Sequence, residues 1–177
     1  MEQVYLLNYM ISEPAPLVLT LQINPNAFAF FNALRKKHFP PQINYLDAHL
    51  TLFHQLPPIP AVNQLLEIVA AKQKKINLEV AGIMKLGRGV AYKIKSEELV
   101  WLQDNLKKEW IAWLKPQDQQ KFNPHITVQN KVEIAVANSL YHELSASFQP
   151  FTAEGIGLSL WEYQGGPWLK IKDYAFI

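Results

Sequence analysis

The chain carries one short pattern twice, His49-Leu50-Thr51-Leu52 and His125-Ile126-Thr127-Val128, and the copies stand 76 residues apart (125 − 49). That offset organises the rest of the chain. The amphipathic stretch 26–38 shifted by 76 falls on 102–114, inside a second amphipathic stretch, and the helical pattern near 60–74 falls on 136–150. The strand pattern at 77–86 shifted likewise meets 153–162, where Ile156, Leu158 and Leu160 alternate. Four elements in order at one offset predict a duplicated α+β unit, two lobes related by a pseudo-two-fold axis, with any site formed where equivalent strands face each other. The 177 residues, 49% of them apolar, are enough for a sizeable core, and no linker separates the halves, so a single domain over 1–177 is expected.

Period and punctuation place the elements. Leu17–Ile23 reads as a strand, and Asn24-Pro25 opens a helix over Asn26–His38 with Asn24 as its N-cap, closed by Pro40-Pro41. Ala48–His54 reads as a strand, followed after Pro57-Pro58 by a helix with Leu65, Leu66, Val69 and Ala70 on one face. Asn77–Leu86 and Val90–Lys95 flank the hairpin signal Gly87-Arg88-Gly89. A helix after Ser96 presents Leu99, Leu102, Leu106 and Trp110 and stops at Pro116. His125–Asn130 reads as a strand, Glu133–Ser147 as a helix, and Phe151–Tyr163 and Trp168–Ala175 as strands around Gly165-Gly166-Pro167.

Composition narrows the function. Seventeen basic against fifteen acidic side chains leave +2, so contact with nucleic acid must come from a local site and not from a global basic field. The absence of cysteine removes disulfides, thiolate metal sites and cysteine nucleophiles together. No eighteen apolar residues run uninterrupted, and Val4–Met10 lacks the basic flank and length of a signal peptide, so a soluble, cytoplasmic protein with no membrane partner is expected. Val4–Met10 itself lies outside the repeat and reads equally as an extra strand, a packed arm or a partner contact.

In a strand, alternate side chains share a face, so each motif puts His and Thr on one side and its two apolar residues on the other. With five His and four Thr in the chain, two such pairs at the repeat offset are hard to reach by accident. These residues resemble the 2H phosphoesterase superfamily, in particular its 2′-5′ RNA ligase and cyclic phosphodiesterase branch. The resemblance runs from about Leu17 to the C-terminus, with its motif content concentrated in eight residues; Pro124 before the second His also fits it, and Asp47-Ala48 stands in the matching place of the first. It implies an α+β bilobal fold, two antiparallel-sheet lobes with helices packed outside a central cleft. It further implies hydrolysis of 2′,3′-cyclic phosphate ends of RNA or small nucleotides with no metal and no cofactor. His49 and His125 are then catalytic, and Thr51 and Thr127 bind the phosphate. The resemblance favours His49 as the acid at the leaving oxygen and His125 as the base for water. No obligate protein partner is implied.

The chemistry suits these residue types. Opening a cyclic phosphodiester needs a base for water and an acid for the departing ribose oxygen, and two imidazoles supply both near neutral pH. The Thr hydroxyls donate to non-bridging phosphate oxygens. The rival from another class is a non-catalytic RNA-end or nucleotide-binding module with a retained pocket, against which the presence of all four motif residues argues. A zinc site on His49 and His54 is disfavoured because their odd spacing puts them on opposite strand faces. Other candidates for substrate contact are Arg88 at the hairpin tip, Tyr92, and the aromatic residues Trp161, Tyr163 and Trp168, each of which also has a plain structural reading as an exposed charge or a packing residue. Arg35, with Lys36 and Lys37, reads as dipole compensation at a helix end. Trp101, Trp110 and Trp113 read as lobe-packing residues.

Overall fold

The computed structural model describes residues 14–177; Val4–Met10 lies outside them. Seven strands and five helices follow in the order β1 (Leu17–Ile23), α1 (Pro25–His38), a 3-10 turn (Pro41–Ile43), β2 (Leu50–Leu56), α2 (Pro60–Ala70), β3 (Ile76–Lys85), then β4 (Val90–Lys95), α3 (Glu97–Trp110), the short α4 (Pro116–Gln119), β5 (His125–Gln129), α5 (Ile134–Ser147), β6 (Phe151–Tyr163) and β7 (Trp168–Ala175). The second series repeats the first element for element. The repeat is therefore fuller than the sequence pattern suggested: β4 answers β1, and α4 answers the 3-10 turn.

All strands join one antiparallel sheet in the order β2-β1-β6-β3-β4-β5, with β7 added to β6. Exchanging each strand for its repeat partner reverses this order, which is the signature of a two-fold axis between β3 and β6. The long β6 serves both sides: Phe151–Gly155 pairs with β3, and Gly155–Glu162 pairs with β1. Each half thus lends its third strand to the other, so β1 and β2 hang on β6, and β4 and β5 hang on β3. β2 and β5 lie at the two ends of the strand order, yet they also lie beside each other in space. The two histidine motifs meet there.

Local sequence explains the elements. Pro at the first turn starts α1, but Asn24 does not cap it: its Oδ1 accepts from the Glu154 amide of β6 at 2.9 Å, tying helix entry to the sheet instead. Ser96 is a true N-cap for α3, accepting from the Leu99 amide at 3.2 Å, with Glu97 and Glu98 in the first turn. Of the α3 tryptophans and Trp113 beyond it, only Trp110 is core, against Phe53 at 5.2 Å; Trp101 and Trp113 are exposed, contrary to the packing expected of them. Among the described residues no helix is long and apolar enough to cross a membrane.

The apolar partners of each motif fix its orientation. Leu50, Leu52, Ile126 and Val128 are all at most 3% exposed, each worth about 1.5–3 kcal/mol of burial. A one-residue slip of β2 or β5 would drive His and Thr into that core and forfeit this stabilisation. Thr51, Thr127 and both histidines are consequently held half-buried on the opposite face.

Candidate active site

His49 immediately precedes β2, two residues later than the expected strand start, and His125 is the first residue of β5. The two rings are anchored alike. His49 Nδ1 donates to the Asp47 carbonyl at 2.7 Å, and His125 Nδ1 donates to the Asn123 carbonyl at 2.8 Å, in each case two residues back. A carbonyl cannot donate, so Nδ1 carries the hydrogen in both rings and Nε2 is left to accept or, when protonated, to give a proton. Burial pushes the His49 pKa down to about 4; the Asp47 carbonyl acts in the opposite sense, and the charges of Arg35, His54 and His125 lower it further. Basic groups from α1, β2 and β5 thus bear on one imidazole, which is neutral at pH 7.

His49 lines two cavities. The larger, about 510 Å³, is lined by His49, Thr20, Ser159, Trp161, Trp168 and Lys170 among others. Trp168 lies 4.8 Å from the His49 ring and 6.2 Å from Trp161, centroid to centroid, so two indoles wall the space beside the imidazole. Thr20 and Ser159 of its wall belong to a polar row across four strands, Thr51, Thr20, Ser159 and Asp173 in register. Trp161 Nε1 donates to Thr20 Oγ1 at 2.9 Å, Gln22 Nε2 to Ser159 Oγ at 2.9 Å, and Ser159 Oγ to Asp173 Oδ1 at 2.6 Å. These bonds fix the platform before any ligand arrives. The smaller cavity, about 330 Å³, holds His49 with Thr127, Arg35, Asn130, Lys131 and Tyr163. Trp161 and Tyr163 therefore serve different cavities.

Two sequence candidates stand elsewhere. Tyr92 is 4% exposed and packs on Phe31 at 5.3 Å and Phe30 at 5.8 Å; it is a core residue, because the β4 face it occupies lies under α1. Arg88 projects from the β3–β4 hairpin, donating to the Val132 carbonyl at 3.0 Å and facing Glu133 at 3.5 Å, and it lines neither cavity beside His49.

The sequence reading did not single out Thr20, Ser159, Lys170, Asn130 or Lys131, which line the two cavities, and it misread Arg35. Arg35 is no exposed helix-end cation: it is 5% exposed and reaches the second motif, where its Nη1 donates to the Thr127 carbonyl at 3.0 Å. Its Nε is shared between Asn44 Oδ1 and the Leu46 carbonyl, both at 2.9 Å. The signal was present in the helical spacing, since Ala27, Phe31 and Arg35 follow one another at i+4 on the buried stripe of α1.

Residues 23–167 match the family model of the 2′-5′ RNA ligase superfamily. The chain belongs to that superfamily. Among solved structures, this 2H phosphoesterase family member resembles TT0787 of Thermus thermophilus, with a TM-score of 0.63 and 15% identity over 91% of this chain and 97% of that one. It also resembles E. coli LigT complexed with 3′-AMP, with a TM-score of 0.62 and 18% identity over 93% and 99% of the two chains. No curated protein matches it. The α+β fold with antiparallel strands that the resemblance implied is the fold observed, and it matches LigT-like 2H phosphoesterase folds.

Proposed function

We propose that this superfamily member is a metal-independent phosphodiesterase that opens 2′,3′-cyclic phosphate ends of RNA or of small nucleotides. The observation that carries the reading is the paired anchoring of His49 and His125, each with Nδ1 committed to a carbonyl and each followed two residues on by a half-buried threonine. The solved complex of the similar LigT with 3′-AMP supports a nucleotide as the ligand class.

The reaction needs one proton taken and one given. Water attacks phosphorus as it loses a proton to one imidazole Nε2; the opposite P–O bond to ribose breaks, and the departing oxygen receives the proton of the other Nε2. Thr51 and Thr127 hydroxyls donate to the non-bridging oxygens as charge builds on them. Which ring starts as base follows from burial: His49, held near 4, is neutral in the free protein and is poised to accept. That reverses the roles the family resemblance favoured and makes His125 the acid. The larger cavity then takes the nucleoside, its base against Trp168 and Trp161.

Incubating the protein with a nucleoside 2′,3′-cyclic phosphate in excess EDTA tests the reading. Conversion to a nucleoside monophosphate supports it, and binding without turnover makes the chain a nucleotide-binding module. The pH profile of kcat/KM tests the roles. A base at His49 puts the acidic limb of the profile near pH 4, with the alkaline limb set by loss of the proton that the acid must give, whereas an acid at His49 gives activity that declines steadily from about pH 4 upward.

A further inference from the structure

Strand alternation from His49 predicts the opposite face for His54, and the pairing of β2 with β1 overturns this. Thr51 stands opposite Thr20 and Phe53 opposite Leu19, so two residues of β2 advance against one of β1. This bulge leaves Leu52 and Phe53 both in the core, 3% and 0% exposed. A second irregularity follows, three residues of β2 against two of β1, and His54 and Gln55 both stand outside the core. His54 is thereby returned to the face of His49 and Thr51. The first of these steps recurs after the second motif. Thr127 stands opposite Ala91 and Gln129 opposite Val90, Val128 and Gln129 are both buried, and Asn130 comes back to the site face. Asn130 is the counterpart of His54 at the repeat offset (130 − 54 = 76), and it lines the cavity that holds Thr127 and His49. The two-fold axis therefore puts His54 beside Thr51, on the His125 side of the site. The charges of His54 and His125 both bear on His49, as this placement requires.

The His54 ring is also fixed in place. Its Nδ1 lies 3.0 Å from Asp118 Oδ1, and the Asp118 side chain is only 2% exposed. The same carboxylate accepts from the His54 and Gln55 amides at 2.9–3.0 Å, so it cannot follow the ring if the ring turns away. A carboxylate only accepts, so Nδ1 carries the hydrogen and Nε2 becomes the outward polar atom of a ring 48% exposed. Among the described residues Nε2 has no hydrogen-bond partner. Nor do three His, Asp or Glu side chains gather among the described residues as a metal site would need. A ring oriented by a buried carboxylate, with its second nitrogen free on the face of the catalytic motifs, is placed to meet a ligand.

We propose that His54 is a specificity-determining residue whose Nε2 bonds the ribose hydroxyl next to the bound phosphoryl group, and that Asp118 is its positioning residue. The proposal rests on the reading given under the preceding heading, in which the phosphoryl group lies between the two motifs and His125 protonates the departing ribose oxygen. That oxygen becomes the hydroxyl vicinal to the phosphate in the product. It is released on the His125 side, where the two-fold axis puts His54. A hydroxyl both donates and accepts, so it suits Nε2 whether the ring is neutral or protonated. A ligand that lacks this hydroxyl leaves the fixed nitrogen unpaired against it, and the site therefore favours ribonucleotide over deoxyribonucleotide ends.

Calorimetric titration of the full chain with 2′-AMP and 3′-AMP, and with the analogue of each that lacks the vicinal hydroxyl, tests this. The wild-type protein should bind at least one of the two nucleotides about fivefold more tightly than its deoxy analogue. His54→Ala should reduce that preference to about twofold or less, with affinity for the deoxy analogue retained. His54→Phe keeps a ring but no polar atom and should behave alike, which keeps the proposal testable if one variant does not fold. Asp118→Asn frees the ring and should also lose most of the preference. No preference in the wild-type protein, or an undiminished preference in a folded His54 variant, overturns the role of His54. Full preference in Asp118→Asn removes Asp118 as its positioning residue. The outcomes separate this claim from the hydrolase reading. Opening of cyclic nucleotides by a protein without the preference keeps the hydrolase and loses the role of His54; a His54-dependent preference without turnover does the reverse.

Discussion

The two outer strands of the sheet, β2 and β5, carry the same motif and are closed by opposite charges. β2 is closed by Asp118 of α4, whose carboxylate accepts from the His54 amide at 2.9 and 3.0 Å and from the Gln55 amide at 2.9 Å, and pairs with His54 Nδ1 at 3.0 Å. β5 is closed by Arg35 of α1, through the Thr127 carbonyl. Each cap comes from the opposite half of the repeat, so each half covers the other's exposed edge. The difference lies in what is left over. The Asp118 carboxylate is fully used, and although its burial works to raise its pKa, the bonds from His54 and from the two amides hold it net below the usual carboxylate value. Arg35 ends with charge to spare beside a cavity. Duplication supplies two equivalent edges; one is closed by a carboxylate whose oxygens are all bonded, and the other by a guanidinium that borders a cavity.

The comparison breaks most sharply at the histidines. His49→Ala and His125→Ala should each lower kcat/KM by about 10²–10⁴-fold with thermal unfolding of the fold preserved, because in the proposed mechanism the halves contribute one proton-transfer group apiece. Retention of near-normal turnover by either variant would remove that residue from the chemistry. Asp118→Ala should show the opposite pattern. It orphans two strand amides and so should cost about 2–4 kcal/mol in chemical denaturation, while the folded fraction keeps its kcat. A loss of kcat without a loss of stability would mean that the β2 edge is functional too.

Acid titration separates the two edges by pH window. The folded-state pKa of His49 near 4 lies below the ordinary imidazole value of about 6.5, so between those values the unfolded chain binds the extra proton. Stability from the neutral ring is complete above about pH 6.5 and is lost as pH falls towards 4, with a ceiling of about 3 kcal/mol reduced by the ring's partial contact with solvent. Asp118, with its pKa depressed, is stabilising above its unfolded value of 3.8 and loses that contribution only below it. His49→Ala should therefore flatten the decline of Tm between pH 6.5 and 4 and leave the steeper fall below pH 4 in place. A decline unchanged in the variant would show that the ring is not desolvated as described. Smaller again is Thr51→Ala or Thr127→Ala, each expected to reduce kcat/KM about tenfold, since each removes one of the hydrogen bonds to phosphate in the proposed mechanism.

Much of this was legible in the chain because the repeat is short-range chemistry written twice. Strand alternation told which face His and Thr occupy, and the offset placed both copies on equivalent strands. What the offset could not tell was the exchange of third strands between halves, since β6 pairing with β1 is decided by packing around the two-fold axis and leaves no local signature. Arg35 was misread for a related reason. A basic cluster at a helix end has a sufficient local explanation in the dipole, and only the i+4 relation to Phe31 distinguishes Arg35 from Lys36 and Lys37. Tyr92 illustrates the converse: an aromatic on a strand equivalent to a site strand, yet buried by the helix that crosses it.

The smallest expected effect concerns Arg88, which sits at the hairpin nearest the β5 edge. Gly87, at φ 72°, turns the hairpin, and Gly89 lets its backbone press on Gln129, where a Cβ would come within 2.1 Å of the Gln129 carbonyl. The hairpin is thus seated on the end of β5 by backbone contact, including the bond from the Val132 amide to the Arg88 carbonyl, and the Arg88 side chain adds only an exposed bond to Val132 and a loose pair with Glu133. Exposed pairs contribute about 0–1 kcal/mol. Arg88→Gln should accordingly change stability by less than about 0.5 kcal/mol and kcat/KM by less than about threefold. A tenfold loss of kcat/KM at unchanged stability would mean that Arg88 swings to the phosphate during turnover, and the cationic edge would then extend from Arg35 and Lys131 to the hairpin tip.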